Sequence, residues 1–282
     1  MIQLILVTGA MLGLASLILL AGRWRLAVQF SKKVQQLFSE SANISDKTFN
    51  HDSLAELPPP VQRYFKHVLK EGEPYMSYAR ITHTGEFKTG FDKGWAKIEG
   101  EQYATTKKPG FIWKGKTSIF VARDMYIGDT GRLVVSLFSL FKVVDAKGDA
   151  YNQGELLRWL GESVLYPTNL LPSERLRWFP MDAHKAKLTF NYLQLSLFFI
   201  ISFNDVGEII QMETQRYMDD KNLETWIIKL AAYKQINGVV VPTAFEVLWR
   251  LKKGDFSYAK FNLQQIEYNK PHKFEEHEMH YS

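Results

Sequence analysis

Charged and uncharged positions divide this chain into unlike parts. Residues 2–22, IQLILVTGAMLGLASLILLAG, hold no charged side chain, and Gln3 is their one strongly polar member. At ~1.5 Å rise per residue, such a helix spans about 30 Å, the thickness of a bilayer's hydrocarbon core. A soluble helix of this length would carry a polar stripe, and a cleaved signal peptide would need a basic n-region and a shorter apolar core. The run has neither, and it predicts a transmembrane helix. Gly9 and Gly13 have the G-x-x-x-G spacing of close helix approach, although glycine is common in membrane helices generally. Trp24, between Arg23 and Arg25, falls where an interfacial belt is expected. Ala27, Phe30, Val34, Leu37 and Phe38 keep a helical period, which predicts an amphipathic continuation lying at the interface. Residues 39–56 are polar without a period and read as a linker.

Leu57 and three prolines then open a helix in which Val61, Tyr64, Phe65, Val68 and Leu69 form one apolar stripe. From about Tyr78 the period changes to that of strands. Long runs rich in aromatic and β-branched residues alternate with turn chemistry, most clearly at Asn237-Gly238, a pair suited to a type I′ hairpin. One further helix interrupts the strands at residues 154–166. Successive hairpins predict a mainly β (α+β) fold. Its sheet would be a curled antiparallel one, a half-barrel or barrel, with two or three helices besides the transmembrane helix. The predicted organisation is a membrane anchor over 1–23, a juxtamembrane helix and linker over 24–56, a β-rich domain over 57–270 and a tail over 271–282. Two strands, 197–201 and 133–138, are apolar on both parities, so each has both faces covered or turns one face to an apolar ligand or lipid.

Composition refines this outline. The chain of 282 residues has no cysteine, which excludes disulfides, thiolate metal sites and a thiol nucleophile. The formal charge of +5 suggests nucleic acid at first sight. However, residues 1–33 carry Arg23, Arg25, Lys32 and Lys33 and no acid, which leaves the other 249 residues with 31 bases against 30 acids. A near-neutral domain lacks a nucleic-acid footprint. Placing the basic flank inside gives a single-pass protein of the cell membrane with a cytoplasmic domain.

Few motifs carry chemistry. Residues 110–117, GFIWKGKT, match the phosphate-loop pattern in letters, but they lie in a strand pattern with bulky interior residues. On the 154–166 helix Glu155, Arg158, Glu162 and Tyr166 share the sector opposite the leucine stripe, with Trp159 at its edge. They form either a solvated face with an Arg158–Glu162 pair or a polar cluster at a cavity mouth. His83 and Trp113 are the remaining candidates for a ligand site on strands. Glu246 is another, facing either inward with Arg250 or outward to solvent. His272, His277 and His280 lie in the tail without the spacing of a defined metal site, and the sequence calls for no cofactor.

Several segments together resemble a family of uncharacterised prokaryotic proteins, a domain of unknown function. They are LPPPVQRYF at 57–65, THTGEF at 82–87, KPGFIW at 108–113, GELLRWL at 154–160 with Glu162, YPT at 166–168, and Val241-Pro242. Lys114 departs from the acidic residue that the resemblance implies at that position. The layout is similar to lipoprotein-carrier half-barrels, which implies shelter for acyl chains and a domain outside the cytoplasm, opposite to the charge rule. Three functions follow as expectations: a membrane-anchored binder of an apolar or lipid-like ligand, a membrane enzyme using Glu155, Glu162, Arg158 and Tyr166, or a scaffold for a protein partner.

Overall fold

The computed structural model describes residues 1–41 and 43–275. Helix α1 (Ile2–Glu40) is continuous from the apolar run into the amphipathic stripe. Its residues 2–21 are not buried against any part of the chain, and among the described helices it alone is long and apolar enough to cross a membrane. Helix α2 (Pro59–Val68) follows the prolines as expected.

Thirteen antiparallel strands make one open sheet. The first meander is β1 (Tyr78–Phe87), β2 (Ala96–Thr105), β3 (Gly110–Lys116), β4 (Phe120–Ile127), β5 (Thr130–Leu137) and β6 (Phe141–Lys147). Helix α3 (Asp149–Gly161) and two 3-10 turns then lead to a second meander. It comprises β7 (Leu176–Pro180), β8 (Lys185–Tyr192), β9 (Leu195–Phe203), β10 (Ile209–Tyr217), β11 (Leu223–Ile236), β12 (Val239–Leu251) and β13 (Gly254–Tyr268). Pairing of β1 with β13 joins the meanders, and β6 and β7 are the free edges, so the sheet is a half-barrel and not a closed barrel. Asn237 and Gly238 both take positive φ, 50° and 89°, as the type I′ turn requires.

Register shows how the two faces differ. Across five neighbouring strands Ile98, Gly85, Phe261, Phe245 and Leu230 stand opposite one another on the inner face. The adjoining row on the outer face is Lys97, Glu86, Lys260, Glu246 and Lys229, an alternating charge ladder. The sheet curls around α3, whose Leu156, Leu157 and Leu160 join the inner core.

Packing corrects three expectations. The stripe Phe30, Val34 and Leu37 faces protein, not lipid: it is buried on the outer face of the first meander against Tyr103, Ile112 and Met125. Residues 43–56 are packed on the domain and not a free linker, because Phe49 and Leu54 enter the inner core and Phe49 pairs through its backbone with Gly72 and Glu73. Phe274, assigned to the tail, is buried beside Tyr103 with the Arg80 guanidinium 4.3 Å above its ring. His277 and His280 lie outside the described residues. The β5 run apolar on both parities is explained by its two neighbours: Val134 packs under α1, while Leu133, Val135 and Leu137 face a cavity.

Candidate functional site

Between the inner face of the sheet and α3 lies a cavity of about 540 Å³, within the usual range for small-molecule sites. Its lining is largely apolar, from Phe87, Phe120 and Leu137 to Val247 and Phe256. Helix α3 and the inner strands bring charge to the same lining through Asp124, Glu155, Arg158, Glu162 and Arg216.

Arg158 organises this cluster. Its guanidinium pairs with Asp124 and, through Nε, donates to Glu162 at 2.8 Å. It also donates to Gln102 at 3.3 Å and lies 4.8 Å above the Trp113 ring. Gln102 donates to the second Glu162 oxygen at 2.6 Å. Arg216, from β10, approaches Glu155 at 3.4 Å and stacks 4.5 Å over Trp226. Three buried polar atoms here lack a hydrogen-bond partner: Asp124 Oδ1, Glu155 Oε2 and Arg216 Nε. Buried polar groups are normally paired, so three unpaired atoms beside one cavity mark this charged cluster as the least satisfied part of its lining.

Burial and the negative charge of Asp124 push the Glu155 carboxyl up to about 8 against the pull of Arg216 and Arg158, so at neutral pH it is largely uncharged. Asp124 is also raised by burial, with Arg158 opposing. His83 moves the other way: burial and then the Arg158 charge bring it down to about 3. Its neutral imidazole accepts a 2.7 Å bond at Nε2 from the Trp113 indole N–H, which fixes Trp113 in the cavity wall. Gly100 makes that pair possible, because a Cβ there would stand 2.1 Å from His83 Nε2 and 2.8 Å from Trp113 Nε1.

The sequence candidates therefore separate. Glu155, Arg158, Glu162 and Trp113 converge on the cavity, with His83 directly behind Trp113. Tyr166 and Trp159 do not reach it. Helix α3 ends at Gly161, so a helical projection to Tyr166 fails; the Tyr166 hydroxyl instead donates to the Trp159 carbonyl at 3.1 Å, and the Trp159 indole to the Thr105 carbonyl at 2.8 Å. Both rings are fully buried core. Glu246 faces outward in the charge ladder, 3.6 Å from Lys229, while Arg250 pairs with Glu213 and Asp255. Lys114 also faces outward, paired with the buried Glu101 under Phe30 of α1. Asp124 and Arg216 went unrecognised in the sequence. The signal was there: each charge occupies the inward parity of its strand, after Ala122 on β4 and after Met212 and Thr214 on β10. Among the described residues no group of His, Asp and Glu has the arrangement of a metal site.

Fold and cavity together define the class: an open antiparallel half-barrel with a helix in its hollow and an apolar space between them. Residues 47–261 match the Family of unknown function (DUF6544), and the chain belongs to that family. No curated protein matches it. Among solved structures it is similar to a LolA superfamily protein from Nitrosomonas europaea at 12% identity, with a TM-score of 0.42, over 74% of this chain and 91% of the other.

Proposed function

We propose that this is a single-pass membrane protein that holds an amphiphilic, lipid-like molecule in its half-barrel. The observation that carries the reading is the mixed lining of the cavity, apolar at Phe120, Leu137 and Val247 and charged at Asp124, Glu155, Arg158 and Arg216. Aliphatic chains would lie along Phe120, Leu137 and Val247, where each buried methylene contributes about 0.8 kcal/mol. A polar head group would meet the charged cluster, donating to Asp124 and accepting from Arg216 and from the protonated Glu155 carboxyl. A purely hydrocarbon ligand would desolvate the charged side chains of the lining without pairing them, which disfavours it. The exposed α1 residues 2–21 would cross the bilayer, tying the binder to the source of its ligand. A scaffold would have no use for such a cavity.

Native mass spectrometry of the full chain, released from detergent, tests this. The expected result is a co-purifying lipid of defined mass that is lost in Ala122→Phe, which fills the cavity from β4. Only the bare protein mass, with no binding of a fluorescent acyl probe to the natural protein, would overturn the reading.

A further inference from the structure

The course of α1 along the sheet fixes which end of the half-barrel faces the bilayer. Gly22 packs on the turn between β5 and β6, so tightly that a Cβ would stand 2.5 Å from Leu140 Cδ2 and 2.9 Å from the Ser139 carbonyl oxygen. Arg25 donates to the Leu140 carbonyl at 3.3 Å. Further along, Gln29 accepts from Arg123 in the middle of β4 at 3.3 Å. Leu37 reaches Gly110 at the start of β3, and Glu40 bonds Lys108 at 3.2 Å, at the opposite end of the strands. The helix thus runs along the strands from the β5–β6 turn to the β2–β3 turn. Its free apolar residues 2–21 project beyond the β5–β6 end by about 30 Å.

The cavity opens at that same end. Phe87, Phe120, Leu137 and Phe256, the terminal residues or near neighbours of β1, β4, β5 and β13, line it, and Phe87 meets Phe120 with ring centres 6.3 Å apart. The segments around this opening expose large apolar side chains: Phe91 at 45%, Ile119 at 53%, Phe138 at 54% and Phe141 at 65%. Lysines accompany them at 88, 93, 116, 142, 252 and 253, against Asp92, Asp145 and Asp255, of which Asp145 pairs with Lys142. Apolar tips inside a basic ring match a membrane surface with anionic lipids, where each basic residue near the surface contributes about 1 kcal/mol.

We propose that the open end of the half-barrel is seated on the bilayer, with Ile119, Phe138 and Phe141 dipping into the boundary of the leaflet from which α1 emerges. Gly22 ends the uncharged run, so its contact with Leu140 places the β5–β6 turn at the depth where hydrocarbon gives way to headgroups. An amphiphile would then pass between leaflet and cavity without crossing water. The inference rests on α1 spanning a membrane, as proposed above.

The absence of cysteine makes a site-directed test direct. Single nitroxide labels at Ile119→Cys and Phe141→Cys in the full chain, reconstituted into phosphatidylcholine–phosphatidylglycerol vesicles, would be compared with labels at Leu12→Cys in α1 and Val206→Cys in the β9–β10 turn beside α2. The expected result is an oxygen-to-nickel-chelate accessibility ratio at 119 and 141 several-fold above that at 206 and approaching that at 12. A lipid-like ratio at 12 with water-like ratios at 119 and 141 overturns the seating and leaves the anchor intact. A water-like ratio at all four sites overturns both. Protection of 119 and 141 from both reagents means that a second copy covers this end, and it also overturns the seating. All four positions are highly exposed, so the labels test location and not folding.

Discussion

Glu155→Gln isolates a single titration that the fold makes costly. In the folded chain the Glu155 carboxyl is raised from 4.5 to about 8 by burial and by Asp124. In the unfolded chain it returns to the ordinary value. Below pH 4.5 both states hold the proton and the group costs nothing. Between 4.5 and 8 the unfolded chain releases it while the folded chain keeps it, so stability falls as pH rises through that window and levels off above it. At about 1.4 kcal/mol per pH unit, the loss amounts to a few kcal/mol. Glutamine preserves the shape and the acceptor for Arg216 but cannot ionise. Urea unfolding of both proteins in detergent across pH 4 to 9 (about the accessible range) should give a gap in favour of the variant. That gap should grow through the window and stay constant above pH 8. His83 titrates identically in both proteins and cancels in the difference. A pH-independent gap, or a natural protein that gains on the variant as pH rises, would show that Glu155 is ionised in a stabilising pair with Arg216, and the account of the polar wall would fail.

Other consequences concern the neighbours of this group. Arg158→Ala strands Asp124 and Glu162 in the cavity wall without their counter-charge and should cost about 3–5 kcal/mol, read as a lowered urea midpoint. Gly100→Ala cannot coexist with the His83–Trp113 bond; a red-shifted, quencher-accessible tryptophan signal should accompany a loss of probe binding. Glu246→Ala sits in the exposed ladder and should change stability by no more than about 1 kcal/mol and leave probe binding unchanged. A marked loss of binding there would move the site to the outer face.

Elements whose cause is local are legible in the residue pattern. An uncharged run long enough to span a bilayer, a proline-led amphipathic helix and an Asn-Gly turn with two positive φ angles each state their structure within a few residues. Register within the hairpins follows from the same period-2 pattern, so the antiparallel meander was legible as well. Which faces are covered and which charges meet depends on long-range packing. Phe30, Val34 and Leu37 have the same amphipathic spacing whether they face lipid or Tyr103 and Ile112, and only the docking of α1 distinguishes the two. Tyr166 belonged to the polar sector only while the helix was extended past Gly161. The cavity wall joins Asp124 of β4, Glu155 and Arg158 of α3 and Arg216 of β10 across nearly a hundred positions. The energy that sets their protonation depends on burial and on distances between strands that no local pattern encodes. Local propensity is a property of neighbouring residues, whereas a site made by curling a sheet around a helix exists only once the long-range pairing of β1 with β13 has closed the two meanders into one surface.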